Sequence, residues 1–376
     1  MCTTSRIGVP LTMAFHRSLL LLCVVGLACQ SSGSGNGATG GKAGAGGEAG
    51  TPGQPGAGGE AAGGTAATAG MAGGSGGTSN ETNMPKGGTG GGTGGQSTGG
   101  TGGKASGLVR KTERPASGTL DLIAAVVKAD PAIVTQPGVP VGKLTKDLMF
   151  QSTVYGKAYR YNLYVPAQYK AGQKAAFAVY TDGAAYTDCC RVHVVMDNLI
   201  HTGEMPVTIA AFVYPLDRNR EYVGNTDEFA RFLKDDLMVE LDKTYDLTTD
   251  PKMRMIVGVS SGGLVAFAES WDHNGLFKKA LGDSPSFASF ARKDYPALVS
   301  STRPLKDLRF VMTVGNNDLI DQFGDWFAIG KKMAAALEGA KYDYRALLLK
   351  GDHGMQKSLH QMSDNLRWLW WDWDKP

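Results

Sequence analysis

From residue 149 onward, short apolar, β-branched runs alternate with stretches of helical periodicity. The runs are Met149–Val154, Ala158–Val165, Ala175–Tyr180, Val207–Val213, Arg254–Val259, Arg309–Gly315 and Arg345–Leu349, and their composition predicts strands. In Asp227–Leu241, residues Phe229, Phe232, Leu233, Leu237 and Leu241 fall on one helical face. Trp326–Leu337 repeats the pattern with Trp326, Phe327, Ile329, Met333, Ala336 and Leu337. A last helix, about Gln356 to Trp373, carries Leu359, Met362, Leu366 and Leu369. Early strands follow one another directly, whereas later ones alternate with helices. That order predicts an α/β domain: a mostly parallel sheet with helices on both faces and antiparallel strands at one edge. No internal repeat interrupts it.

Upstream of residue 108 the pattern vanishes. Residues 31–107 hold 32 of the chain's 53 glycines, and Ala, Thr, Ser, Pro and Asn make up most of the rest. With almost no large apolar side chain to bury, this stretch cannot offset the entropy of ordering a backbone. A flexible linker over residues 30–107 is predicted. Residues 108–376, about 270 in number, suit one large α/β domain. A formal net charge of +3, without a Lys/Arg cluster or a basic-aromatic platform, argues against nucleic acid as a partner.

Residues 1–29 read as an export signal. His16 and Arg17 precede an apolar run from Leu19 to Ala28, too short to span a bilayer, and Met13 offers an alternative start. Gly26-Leu27-Ala28-Cys29 is similar to a bacterial lipobox, with Gly26 where Leu is usual. Lipidation of Cys29 is therefore expected, making the linker a tether of roughly 70 to 80 residues to a membrane. The expected location is exported and membrane-anchored, whether at the outer membrane, in the periplasm or at the cell surface, with plain secretion as the alternative. Cys189 and Cys190 are then the cysteines left in the domain. Adjacent cysteines rarely bridge because the ring is strained, and His193 alone does not complete a metal site, so buried or half-buried free thiols are expected.

Candidate chemistry centres on Met255-Ile256-Val257-Gly258-Val259-Ser260-Ser261-Gly262-Gly263-Leu264. A strand runs through Gly-x-Ser-x-Gly into a helical pattern, which is the context a nucleophile elbow needs. Ser260 is the predicted nucleophile, and the Ser261 N–H at the helix start is a predicted oxyanion donor. The α/β-hydrolase order then calls for an acid and a histidine on later loops. His353, in Lys350-Gly351-Asp352-His353-Gly354, directly follows a predicted strand and is the candidate base; a surface or capping histidine is the plainer alternative. His273 lies at the far end of the helix after the elbow, His360 two turns into the last helix, and His193 and His201 at ordinary helix positions. Asp318 follows Phe310–Val314 and is the first choice for the acid, with Asp321 and Asp325 as rivals that could merely cap the next helix. In Tyr180-Thr181-Asp182-Gly183-Ala184-Ala185 the Ala184 N–H is a second candidate oxyanion donor, and Gly183 is expected to let the backbone approach substrate closely; a plain Asp-Gly turn is equally open. This chemistry requires no metal and no organic cofactor.

Together these landmarks resemble the esterases that include enterochelin, feruloyl and acetylxylan esterases, S-formylglutathione hydrolases and mycolyltransferases, and among them the enterochelin-esterase-like branch. Tyr164-Val165-Pro166-Ala167-Gln168-Tyr169, Asp182-Gly183, Met196-Asp197-Asn198-Leu199-Ile200, Arg218-Asn219-Arg220-Glu221-Tyr222, Gly315-Asn316-Asn317-Asp318 and Leu366-Arg367-Trp368-Leu369-Trp370 carry the similarity, along with the elbow. The resemblance implies an α/β-hydrolase fold, a serine carboxylic-ester hydrolase activity and Ser260, Asp318 and His353 as its triad. It also places Arg218 and Glu221 beside the site, as substrate contacts or, preferably, as an ion pair bracing the loop. Asp283-Ser284-Pro285-Ser286-Phe287 departs from the family's Gly-Ser-Phe, and Ser284 and Ser286 read as turn residues.

Between Ser260 and Asp318 there is room for a helix, a strand, one or two helices and another strand, so no cap domain is expected and the site should admit bulky or polymer-borne esters. A carbohydrate esterase, an acyltransferase and a surface binding module are the alternatives. The tryptophans Trp326, Trp368, Trp370, Trp371 and Trp373 suit core packing better than sugar stacking.

Overall fold

The computed structural model describes residues 107–287 and 293–374; the predicted signal segment, Cys29 and residues 30–106 of the glycine-rich stretch lie outside the described residues. The strands are β1 (Gly118–Leu122), β2 (Lys143–Gln151), β3 (Ala158–Val165), β4 (Ala176–Thr181), β5 (Thr208–Tyr214), β6 (Arg254–Val259), β7 (Lys279–Asp283), β8 (Arg309–Asn317), the two-residue pair β9 (Ile320–Asp321) and β10 (Gly324–Asp325), and β11 (Tyr344–Asp352). The helices are α1 (Val192–His201), α2 (Thr226–Arg231), α3 (Met238–Asp242), α4 (Ser261–Asp272), α5 (Tyr295–Ser301), α6 (Trp326–Gly339) and α7 (Met362–Trp370).

The main sheet runs β1-β11-β8-β7-β6-β4-β5-β3-β2. Neighbours from β1 through β5 pair in parallel, while β3 pairs antiparallel with both β5 and β2 at one edge. This is the expected α/β-hydrolase arrangement, and no cap domain is inserted among the described residues. Each run read as a strand overlaps one, because central strands covered on both faces must be apolar throughout, although Met149–Val154 runs three residues past the end of β2. The edges were harder to see. β1 and most of β2 alternate between exposed and half-buried positions, so apolarity does not mark them. β7 is wholly buried, yet Lys279 and Asp283 at its ends interrupt the apolar signal.

Helices cover both faces of the sheet. Phe229, Phe232 and Leu233, Val265 and Phe267 of α4, and Met333 and Leu337 of α6 belong to one core; Val195 and Leu199 of α1 and Leu366 and Leu369 of α7 belong to the other. The helix expected over Asp227–Leu241 is not uniform: a π-helical section, Phe232–Leu237, joins α2 to α3. It contains Asp236, whose carboxylate accepts from Ser152 Oγ and Thr153 Oγ1 at 2.5 Å each and from the Val154 N–H at 3.0 Å. The last helix likewise opens with a 3₁₀ segment, Gln356–Gln361, before α7.

Trp326, Trp368 and Trp370 are buried and Trp371 and Trp373 half-buried, as packing requires. On α4, Phe267 stacks on Trp271 and meets Phe287, Tyr295 and Phe310 edge-on, anchoring the helix that follows the elbow. Burying a side chain of that size contributes about 1.5–3 kcal/mol. Cys189 is half-buried and Cys190 buried, and among the described residues neither is in a disulfide. No helix among the described residues is long and apolar enough to cross a membrane.

Candidate active site

The chain leaves β6 at Val259 and enters α4 at Ser261, so Ser260 alone makes the turn. It does so at φ 58 and ψ −124, a left-handed conformation that costs a non-glycine residue on the order of 1–3 kcal/mol. Backbone bonds hold it there: Ser260 N donates to Asp283 O at 2.9 Å, and Ser260 O accepts from Leu264 N at 3.0 Å and Ser286 N at 3.1 Å. Glycine is obligatory on either side. A Cβ on Gly258 would collide with the Gly262 carbonyl, and one on Gly262 would collide with Thr181 Oγ1 and sit 2.7 Å from Asp182 Oδ2.

β8 and β11 are parallel neighbours, so the residues leaving their carboxyl ends emerge side by side. Asp318 follows β8 and His353 follows β11. His353 Nδ1 lies 2.6 Å from Asp318 Oδ1, which also accepts from the Leu319 N–H at 2.8 Å. Burial opposes ionisation of Asp318, but hydrogen bonds from His353 and Ser284 outweigh it and hold the carboxylate below its usual range. With Nδ1–H directed at a carboxylate, the imidazole presents Nε2 as its acceptor. Trp326 packs edge-on against this ring, with centroids 4.9 Å apart at 87°, so it touches the candidate base as well as filling the core.

Asp321 instead accepts from Phe323 N and Trp326 Nε1, and Asp325 caps α6 through Ala328 N. His273 ends α4 and pairs with Asp227, while His193 and His201 lie on α1 and His360 on the 3₁₀ segment. Of the candidate pairs, therefore, the structure brings together Asp318 and His353. Ser260 Oγ lies 3.4 Å from Ser286 Oγ, and among the described residues no hydrogen bond joins it to His353. Such contacts are commonly long without substrate and shorten when it binds.

Ser261 opens α4 and Ala184 immediately precedes a π-helical turn, Ala185–Cys189; N–H groups at helix starts lack intrahelical acceptors and are available to an oxyanion. One expectation gains a structural reason here and another needs correction. A Cβ on Gly183 would meet Phe212 atoms at 2.7–2.8 Å, so close packing against β5 already requires glycine here. Arg218 and Glu221 do not pair with each other. Arg218 forks onto Asp182 with two 2.7 Å bonds and reaches Val259 O at 3.3 Å, remaining partly exposed beside the elbow. Glu221 is 1% exposed and accepts from Tyr159 Oη at 2.6 Å and from the N–H groups of Leu216 and Asp217. It braces the loop from within.

Beneath these loops lies a residue that the sequence reading missed in this role, Asp283. Its buried carboxylate accepts from Thr313 Oγ1 at 2.7 Å, Ser358 Oγ at 2.6 Å and Tyr186 Oη at 3.1 Å, while its carbonyl holds Ser260 N. Burial raises its pKa against the pull of those donors. Ser284 and Ser286, read as turn residues, bond to Asp318 and Ser260 respectively. An acid closing an otherwise apolar strand was the available signal. No group of three His, Cys, Asp or Glu side chains among the described residues is arranged to hold a metal.

Residues 152–368 match the family model described as "Putative esterase", and the chain belongs to that family. It is an esterase, a carboxylic-ester hydrolase of the serine type. Solved structures share the fold at low identity. A ferulic acid esterase superposes with a TM-score of 0.53 at 16% identity, covering 61% of this chain and 98% of the other. The ferulic acid esterase of the anaerobic fungus Anaeromyces mucronatus gives 0.52 at 15%, covering 63% and 94%. The enterobactin esterase of Shigella flexneri, in the presence of enterobactin, gives 0.53 at 17%, covering 62% of this chain and 61% of that one, so the match spans about three fifths of that enzyme. No curated protein sequence matches the chain.

Proposed function

We propose that the esterase works through an acyl-enzyme formed on Ser260. The observation that carries this reading is the 2.6 Å bond between His353 Nδ1 and Asp318 Oδ1, on the same rim of strand ends as the strained Ser260. His353 Nε2 takes the Ser260 proton as Oγ attacks the ester carbonyl. The N–H groups of Ser261 and Ala184 stabilise the oxyanion. The imidazolium then returns the proton to the departing alkoxide, which leaves as an alcohol. Water, deprotonated by His353, attacks the acyl carbon, and collapse of the second tetrahedral species frees the carboxylic acid and restores the Ser260 hydroxyl.

The substrate in this proposal is a bulky ester. The lack of a cap domain among the described residues supports it, as do two apolar side chains near it in the chain: Ile320 of β9, 80% exposed, and Leu216 after β5, 43% exposed. Relatives named for ferulic acid and enterobactin make aryl esters of polysaccharides and catecholate trilactones the first two classes to test. Attachment to a membrane through Cys29 belongs to the same proposal and rests on the lipobox-like sequence; incorporation of labelled palmitate that vanishes in Cys29→Ser tests it.

The decisive experiment compares the full chain with Ser260→Ala on p-nitrophenyl acetate, methyl ferulate and a catecholate trilactone. Turnover of the larger esters by wild type alone supports the reading; activity confined to short acyl groups, or surviving in the variant, overturns it. Adding a sugar acceptor separates hydrolysis from acyl transfer.

A further inference from the structure

The Ser284 hydroxyl lies 2.6 Å from Asp318 Oδ2, 2.6 Å from Lys357 Nζ and 3.3 Å from Gly354 N. A hydroxyl has one proton to give and two lone pairs to fill. The amine of Lys357 and the amide of Gly354 act here as donors, so they occupy the lone pairs. The single Ser284 proton is left for Asp318. Its direction is therefore fixed by its neighbours.

The backbone is distorted to achieve this. Ser284 sits at φ 44, in the left-handed region, and is 1% exposed. Residues stay in such conformations when their surroundings over-determine them, and they concentrate at functional sites. Lys357 comes from the 3₁₀ segment just after His353 and also donates to the Gly354 carbonyl of the histidine loop. The charged groups facing it are Asp283 of β7, Asp318 after β8 and Asp352 of β11. Burial lowers its pKa and these three acids oppose that shift.

We propose that Lys357, acting through Ser284, is a positioning residue that sets the orientation and basicity of the Asp318–His353 pair. The proposal rests on the triad reading above. Asp318 spends one oxygen on each partner: Oδ1 on His353 and Oδ2 on Ser284. An amine behind the hydroxyl polarises its O–H and strengthens the bond to the carboxylate. The carboxylate is thereby kept ionised in a buried place, and it cannot rotate away from the imidazole. Without Lys357, Asp318 is more basic and stabilises the imidazolium more strongly. His353 then becomes a neutral base only at higher pH.

The test uses the full chain with Lys357→Met, Ser284→Ala and Lys357→Arg, assayed on p-nitrophenyl acetate across pH, with circular dichroism to establish folding. Lys357→Met should lower kcat roughly 10- to 100-fold, the scale of a small misplacement of catalytic groups, with little change in KM. The acid limb of kcat/KM should move up by about half a unit or more. Ser284→Ala should move both quantities in the same directions, and Lys357→Arg should restore part of the loss. If Lys357→Met does not fold, Ser284→Ala, which deletes one oxygen, gives the same two readings. An acid limb that stays in place in folded Lys357→Met or Ser284→Ala, whatever happens to kcat, overturns the proposal. Fluorophosphonate labelling of wild-type Ser260 separates the two failures. An unlabelled wild type removes the triad reading and this proposal together, whereas a labelled wild type with unmoved limbs removes only this one.

Discussion

Asp318 and Arg367 are each buried at the centre of a cluster of acids and bases, but the two clusters differ in how their charges and backbones are settled. Arg367 of α7 bonds Glu204 at 2.8 Å, Asp130 at 2.8 Å and Asp364 at 2.9 Å, and Lys111 bridges Asp130 and Asp364 at 2.7 Å. Two cations meet three carboxylates there, and none of the five residues has a positive φ. Around Asp318 the inventory is similar, with acids, a lysine and a histidine, yet Asp182, Ser260 and Ser284 all sit in left-handed backbone. Its nucleophile candidate is met only loosely, by another hydroxyl at 3.4 Å. A relaxed, mutually paired cluster suits a role in stability; a strained one whose serine hydroxyl is held only loosely suits the nucleophile proposed for Ser260.

The largest effect that can break this contrast is on rate. Ser260→Ala should lower kcat/KM by a factor on the order of 10⁴–10⁶ while the urea midpoint stays put. A variant that loses stability instead would make Ser260 a structural turn. Asp318→Asn comes next. It keeps the shape but reverses the hydrogen-bonding demand on His353 Nδ1, and kcat should fall about 10³–10⁴-fold as the wrong tautomer is favoured.

The other cluster should respond in stability. Arg367 is 3% exposed, and Arg367→Met leaves Glu204 and Asp130 without their shared cation, a change that costs about 3–5 kcal/mol in buried pairs. Urea denaturation measures it, with kcat per folded molecule unchanged. Asp130 adds a pH signature. Burial disfavours its charge, but Lys111, the Ala132 N–H and Arg367 together draw its pKa down to about 2. A depressed acid contributes stability above its unfolded pKa and loses it as pH falls through the folded one. About 2 kcal/mol should thus disappear between roughly pH 4 and pH 2, and much of that acid limb should be absent from Arg367→Met.

How much of this was legible follows from sequence separation. Ser260, Asp318 and His353 stand next to apolar strands, so local pattern locates each, and parallel topology does the rest. The packing demand on Gly183 was not legible because the atoms crowding it belong to Phe212 on another strand. Arg218 and Glu221 look paired three residues apart, yet their partners, Asp182 and Tyr159, lie 36 and 62 residues away. Ser284 and Lys357 are 73 apart, and no periodicity relates them. In the fold the same rule holds. Central strands announce themselves by apolarity on both faces, whereas β1, with one half-buried side and one exposed, does not.

The smallest expected effect separates the three carboxylates after β8. Asp325 is exposed, and its side chain accepts from Ala328 N at 2.9 Å as the cap of α6. Asp325→Ala therefore removes an ordinary helix cap, worth about 1 kcal/mol, and should shift the urea midpoint slightly while leaving kcat alone. Asp321 is a subtler control, because it holds Trp326 Nε1, and Trp326 packs against His353. Asp321→Asn can still accept that bond, so only a minor rate change is expected. The ordering is what matters: Asp318→Asn must cost orders of magnitude more rate than either neighbour. Should Asp325→Ala or Asp321→Asn match it, the short contact with His353 would not mark the working acid, and the distinction between a reactive cluster and a merely buried one would have to be redrawn.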